Sequence, residues 1–294
     1  MPGVSTLSTV VDKRAQDSNA VLFICDFSPP RGGDPELLEP VRRLDADFIS
    51  VAYNPGRSTR VNSAFAAAWI KANTGADALF TLATRDMNKV AVQSLLLGAD
   101  LLGLENMVVV KGDEFSERDL SVVKPVDDFV PTGLLRSIAS MNQGLDFKGG
   151  KLRSPTKLCA GAVIDLAHGV ERETALVRRK VEAGAQFFLM QPVFDPLRLQ
   201  GFLSGYDREY GEPLAAPVFC GIQVMVRDGI IFGGIPDWVT SDLEGGRPGD
   251  EIAVQVLQDF VVAGFRSFYL VPPIFRGGRR DYDAAQRVIE AFRG

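Results

Sequence analysis

The chain has one histidine, His168, and three cysteines, Cys25, Cys159 and Cys220, scattered over its 294 residues. Without a second histidine or a Cys-x-x-Cys pair, no zinc or other metal site is expected. A Ser-His-Asp or Cys-His mechanism would have to run through that single imidazole. Each cysteine sits inside an apolar run, which reads as a buried free thiol in a reducing compartment and not as a disulfide framework. No apolar run is long enough to span a bilayer. There is no Lys/Arg-rich block with interleaved aromatics, and the net charge is −5. Neither nucleic acid nor membrane is therefore an expected partner. Residues 1–19 lack a basic start followed by an apolar segment, so no secretory signal is predicted and the expected location is cytoplasmic.

What is present is alternation. Short runs rich in Val, Ile, Phe and Leu recur at Val21–Cys25, Phe48–Tyr53, Leu79–Ala83, Met107–Val110, Leu158–Ile164, Phe187–Met190, Val218–Val224 and Ser267–Val271. Amphipathic stretches follow them, near Pro35–Leu44, Val61–Ala72, Asn88–Leu97, Arg172–Ala183, Pro196–Leu203, Trp238, Glu251–Ala263 and Tyr282–Phe292. Near-continuous apolar strands suit a parallel sheet covered on both faces. Eight such units in a chain of this length predict an α/β fold, a (βα)8 TIM barrel. An open doubly wound sheet is the alternative, but the first strand runs into Asp26-Phe27-Ser28-Pro29-Pro30-Arg31 and not into a glycine-rich phosphate turn. Gly75, Gly184 and Gly264 stand where helix stops are needed. Residues 113–157 form an enlarged connection with its own helix near Thr132–Asn142. The expected division is an N-terminal extension, 1–18, and one barrel domain, 19–294.

Barrels of this kind carry their chemistry at the carboxyl ends of the strands. The polar residues there are Asp26, Tyr53-Asn54, Thr81, Thr84, Lys111-Gly112-Asp113, Asp165, Gln191 and Gln223, with Arg276 just beyond the last strand. Carboxylates can act as general acids when burial raises their pKa. An amide such as Gln191 can donate to and accept from the edge of a heterocycle. Spacing alone predicts an enzyme acting on a small heterocyclic or phosphorylated ligand.

Four segments carry a resemblance: Asp26 to Arg31, Val110-Lys111-Gly112-Asp113, Arg179 to Ala185 running into Leu189-Met190-Gln191-Pro192-Val193-Phe194-Asp195, and Gly264-Phe265 through Val271-Pro272-Pro273. With them the chain resembles the flavin-dependent methylenetetrahydrofolate reductases, roughly from Phe23 to Phe292. The resemblance implies a barrel with FAD at the strand ends, NADH or NADPH as hydride donor, and reduction of 5,10-methylenetetrahydrofolate to 5-methyltetrahydrofolate. It makes Asp26, where glutamate is more usual, the general acid that protonates the leaving nitrogen. Asp113 becomes a catalytic residue near pterin and flavin. Gln191 becomes substrate-binding, and Gln223 and Arg276, from the same ring of strand ends, are expected to bind substrate with it. Lys111, Asp113, Glu173 and Lys180 become FAD contacts, and Gly112 and Thr81, at the same strand ends, are expected to complete the FAD set.

The chain departs from the family pattern at Thr81-Leu82-Ala83-Thr84, where histidine commonly precedes Leu-Thr, at Ala52 in place of threonine, and at Ile164-Asp165 in place of Asn-Pro. All three changes fall around the flavin. Plainer readings stand beside the functional ones: Asp26 as a turn cap or partner of Arg31, Asp113 as a turn residue, and Lys180 as part of a solvated charged face with Arg178 and Arg179. Arg276-Gly277-Gly278-Arg279-Arg280 is either a ligand-facing loop or a solvated one. The alternative functions are a paralogue acting on another folate and a folate-binding subunit that needs a partner. A homo-oligomer is a further possibility that the sequence leaves open.

Overall fold

The computed structural model describes residues 9–293. Eight parallel strands close into a barrel in chain order: β1 Leu22–Phe27, β2 Phe48–Val51, β3 Ala78–Ala83, β4 Asn106–Val110, β5 Cys159–Ile164, β6 Phe187–Pro192, β7 Val218–Gln223 and β8 Ser267–Val271. β1 pairs with β2 on one side and with β8 on the other, so the first and last strands seal the ring. Helix α1, Val10–Gln16, precedes the barrel. Helices α2 Ser63–Thr74 and α3 Lys89–Leu101 follow β2 and β3, and α4 Glu117–Leu120 and α5 Pro131–Met141 lie in the long connection after β4. Helices α6 Val170–Glu182, α7 Pro196–Tyr210, α8 Asp237–Glu244, α9 Gly249–Val262 and α10 Tyr282–Arg293 complete the outer layer. No helix of the described residues is long and apolar enough to cross a membrane.

One expected helix takes another form. The crossover from β1 to β2 is a 3-10 helix, Pro35–Arg43, with Pro40 inside it. Proline has no N–H to give to an α-helical ladder, and its ring clashes with the carbonyl a turn earlier. Residues 1–8 of the expected N-terminal extension lie outside the described residues. Of the rest, α1 belongs to the barrel's amino end: Val10 packs with Leu22, Ile24, Phe48 and Phe219, and its N–H donates to Asn106 Oδ1 at 2.8 Å.

Two apolar layers follow from the period of two along each strand. One set of residues, including Ile24, Phe48, Leu79, Val108, Phe187, Leu189 and Phe219, fills the ring. The alternate set, including Phe23, Cys25, Ile49, Phe80, Met107, Phe188 and Phe268, packs under the helices. Phe187 meets Phe219 edge to face, with centroids 6.4 Å apart. Gly161 leaves the room for it, since a Cβ there would lie 2.4 Å from the Phe187 ring. The three cysteines are free and buried.

The ring has one irregularity that matters to the site. The β6–β7 register passes from Leu189 opposite Phe219 to Pro192 opposite Gly221, which inserts one extra residue into β6. Such a bulge bends the strand and re-aims a side chain, here at Gln191. Gly221 permits it: a Cβ at this position would stand 2.2 Å from the Met190 carbonyl oxygen and 2.6 Å from the Gln191 carbonyl carbon. Because backbone and not a flexible side chain would have to give way, Gly221→Ala is expected to cost about 1–3 kcal/mol of stability. A guanidinium unfolding curve checks this, and an unchanged midpoint would mean that the bulge is not held by this contact.

Candidate active site

A cleft of about 700 Å³ opens at the carboxyl ends of the strands. Asp26, the inward residue at the end of β1, lies at its floor and is 5 % exposed. Tyr269, from β8, donates its hydroxyl hydrogen to Asp26 Oδ1 at 3.0 Å. The Arg280 guanidinium lies beside the other carboxylate oxygen, with Nη2 to Oδ2 at 3.4 Å. Burial pushes the Asp26 carboxyl above the usual carboxylate range, while Arg280 and Tyr269 restrain the rise. Burial, with the neighbouring Asp26, holds the Tyr269 phenol well above its ordinary value, so it stays a donor.

Arg280 reaches the cleft because the loop after β8 folds back on itself. Ile274 bridges Arg280, Phe275 N–H donates to the Arg279 carbonyl at 2.9 Å, and Arg279 stacks on Phe275. The loop after β1 is tied down alongside it: Ser28 N–H donates to the Tyr282 hydroxyl oxygen at 3.1 Å, and Tyr282 stacks on Phe27. Arg60 clasps the same loop by donating to the Pro29 carbonyl at 3.0 Å. Among the described residues, Arg280 Nε and Nη1 and Ser28 Oγ are buried with no hydrogen-bond partner. Unsatisfied buried donors are rare and costly, and these belong to residues that line the cleft.

The residues singled out in the sequence divide into two groups. Asp26, Asp113 and Gln191 come together on the cleft. Gln223 is buried, and both ends of its amide are used within the protein: Nε2 donates to the Ile230 carbonyl at 2.8 Å, and Oε1 accepts from Phe232 N–H at 2.9 Å. It thereby sets Ile230 and Phe232, which wall the cleft. Arg276 is exposed and is not among the lining residues; its place is taken by Arg280. Thr81 is half-buried in β3, where its carbonyl accepts from Ser63 Oγ. His168 is exposed, 3.6 Å from Asp165. Tyr269, Ser28 and Arg60 were not singled out from the sequence. Of these, Ser28 lies within the Asp26 to Arg31 segment, and Tyr269 carries a signal of its own, as a phenol alternating with apolar residues in a buried strand, where its hydroxyl needs a partner.

A family model for methylenetetrahydrofolate reductase matches residues 11–230. The chain belongs to that family. The match stops before β8, so Tyr269 and Arg280, the two partners of Asp26, lie beyond it. No curated protein matches the sequence. Among solved structures, an uncharacterized protein from Clostridium thermocellum that binds two copies of 5-methyl-5,6,7,8-tetrahydrofolic acid superposes with a TM-score of 0.62 at 13% identity, covering 96% of this chain and 98% of that one. Dihydropteroate synthase from Thermus thermophilus, in complex with 4-aminobenzoate, gives 0.46 at 15% identity over 94% and 95% of the two chains. The first likeness is one of fold, and the second is too low to argue from.

Membership in the methylenetetrahydrofolate reductase family raises the question of FAD, and the residues assigned to it by resemblance do not fit that group. Lys180 is buried and donates to Glu173 Oε1 at 3.0 Å and to the Val163 carbonyl at 2.5 Å. Glu173 is equally sealed, so the pair is closed on itself. Burial lowers the Lys180 pKa, with Glu173 opposing. Lys111 points to solvent and pairs with Glu114 at 2.9 Å. With Gly112 it borders a separate hollow of about 240 Å³. Arg85 lies across the Phe115 ring at 4.0 Å there, paired with Asp86 and donating to the Asp113 carbonyl. Apart from Thr81, half-buried in β3, the set is thus split between a sealed ion pair and a small hollow, and only Asp113 faces the main cleft.

Proposed function

We propose that this chain reduces 5,10-methylenetetrahydrofolate to 5-methyltetrahydrofolate, with electrons from a reduced nicotinamide. The observation that carries this reading is the buried carboxyl of Asp26, held by Tyr269 and Arg280 at the floor of a cleft that Asp113 and Gln191 also line. The substrate carries its carbon between two nitrogens in a five-membered ring. Breaking the bond to one nitrogen requires a proton there and leaves an iminium on the other, to which hydride adds. Asp26 supplies the proton, and burial keeps it protonated to higher pH than an ordinary carboxyl. A pterin edge presents an N–H beside an amino group, which suits the carboxylate of Asp113. Its carbonyl and ring nitrogens suit the amide of Gln191. The ligand of the Clostridium thermocellum protein, 5-methyl-5,6,7,8-tetrahydrofolic acid, is the product that this reaction gives.

The test is oxidation of NADH or NADPH that depends on added methylenetetrahydrofolate, with the methyl product identified by mass. Binding of folate with no turnover by either nicotinamide, whether or not FAD is supplied, would replace this reading with that of a folate-binding subunit.

A further inference from the structure

We infer that hydride passes directly from the reduced nicotinamide to the folate carbon in the Asp26 cleft, without a flavin between them. The inference rests on the reading of the chain as a methylenetetrahydrofolate reductase and concerns the route that its electrons take. Two independent sets of observations carry it.

The first concerns what is closed. A bound flavin dinucleotide needs groups that are free to meet its diphosphate and ring. Lys180 already has Glu173 and the Val163 carbonyl as partners inside the protein. Pulling it away would leave Glu173, a carboxylate 4 % exposed, without its counter-charge. The hollow beside Lys111 and Gly112 is about 240 Å³, below the roughly 300–1,000 Å³ usual for sites that bury a ligand of cofactor size. Arg85 and Phe115 line it as a stacked pair.

The second concerns what is open. The Asp26 cleft is about three times larger, at about 700 Å³, and carries its own receptors for anions. Arg280, its side chain 8 % exposed, presents two guanidinium nitrogens without partners, and Ser28 Oγ is likewise unmatched among the described residues. Arg31 and Arg60 stand on the same cleft, close enough that Arg31 and Arg280 both depress the Arg60 pKa, after burial. Three guanidiniums thus face two carboxylates, Asp26 and Asp113, and only one when Asp26 holds its proton. Such a site suits ligands with anionic tails, which describes both a nicotinamide dinucleotide with its diphosphate and a folate with its carboxylates. Where the dihydronicotinamide ring and the folate iminium meet in that cleft, no carrier is needed between them.

The step balances. The C4–H bond of the dihydronicotinamide breaks, and the hydrogen leaves with its electron pair for the iminium carbon. The nicotinamide becomes the aromatic cation. The nitrogen released on ring opening has taken the proton from Asp26, which is restored from solvent.

The experiment follows deuterium from NADH or NADPH labelled at C4, on either face, into the methyl group of the product, with protein as purified and again with FAD added. Direct transfer predicts a preparation without flavin absorbance, turnover without added flavin, and a rate changed by less than about twofold on adding FAD. It also predicts a methyl group carrying one deuterium from one of the two labelled faces, the label on the other face staying on the nicotinamide. A flavin route would pass the label through an N–H that exchanges with water. Turnover that requires FAD, flavin copurifying with the chain, or label lost to water overturns the inference and leaves the proposed function standing. No reduction under any of these conditions removes the proposed function, and the inference with it.

Discussion

Asp26→Asn is expected to slow turnover of methylenetetrahydrofolate by about 10²–10⁴-fold, the range for loss of a positioned general acid. Asparagine keeps the shape of the side chain and can still accept from the Tyr269 hydroxyl through Oδ1, a bond now at 3.0 Å. It has no proton to give to the departing nitrogen. The loss should fall mainly on kcat, because the proton is needed at ring opening and not for binding. The sign of the pH dependence follows from the direction of the Asp26 shift. A general acid works while protonated, and burial raises this carboxyl above its usual range. In the native protein kcat should therefore hold at low pH and fall as pH rises through the elevated pKa. In the asparagine variant that limb should vanish. A native-like rate for this variant, at a melting temperature that shows an intact fold, would remove Asp26 from the chemistry.

Arg280→Met should lower kcat/KM by about 10–100-fold, the scale of one hydrogen bond to a charged group, and it should also move the pH limb. Methionine retains much of the aliphatic stem and removes both the charge and the unpartnered donors. Arg280 is the chief influence pulling the Asp26 pKa down against burial. Without it the carboxyl should rise further, and the fall in kcat should shift to higher pH. Arg280→Lys keeps the charge and should leave the limb near its native position while still weakening ligand binding, because an ammonium cannot reproduce the planar fork. A residue that merely braced the loop would lower stability in both variants without moving the limb.

The barrel was legible because each strand is apolar on both faces, one toward the ring and one toward the helices, and because Gly75, Gly184 and Gly264 end helices with positive φ. Asp26, Asp113 and Gln191 were legible for the same reason: a polar residue ending an apolar strand in a closed parallel barrel has one mouth to face. Other features depend on contacts that no local pattern encodes. The bulge that aims Gln191 exists only where β6 meets Gly221 of the next strand. Tyr269 reaches Asp26 across 243 positions of sequence. Of the arginines after β8 the sequence pointed to Arg276, the first beyond the strand, whereas the Ile274–Arg280 bridge turns Arg280 inward. Lys180 read as a member of a charged helix face, but its turn of α6 is covered, and Glu173, two helical turns back on the same face, meets it there. Gln223 ended a strand as an active-site amide would, yet the loop after β7 claims both ends of it.

The seam between β1 and β8 makes the surroundings of the Asp26 carboxyl depend on contacts between the two ends of the chain. Loop closure between strands at opposite ends of the chain carries the largest entropic cost in the ring, and contacts of such separation slow folding. Asp26 sits on one side of that seam and Tyr269 on the other, with Arg280 just past the second strand. Until that seam closes, Asp26 lacks the Tyr269 hydroxyl and the cover that raises its affinity for protons. On the proposed function, turnover is therefore expected to return on refolding only with closure of the ring.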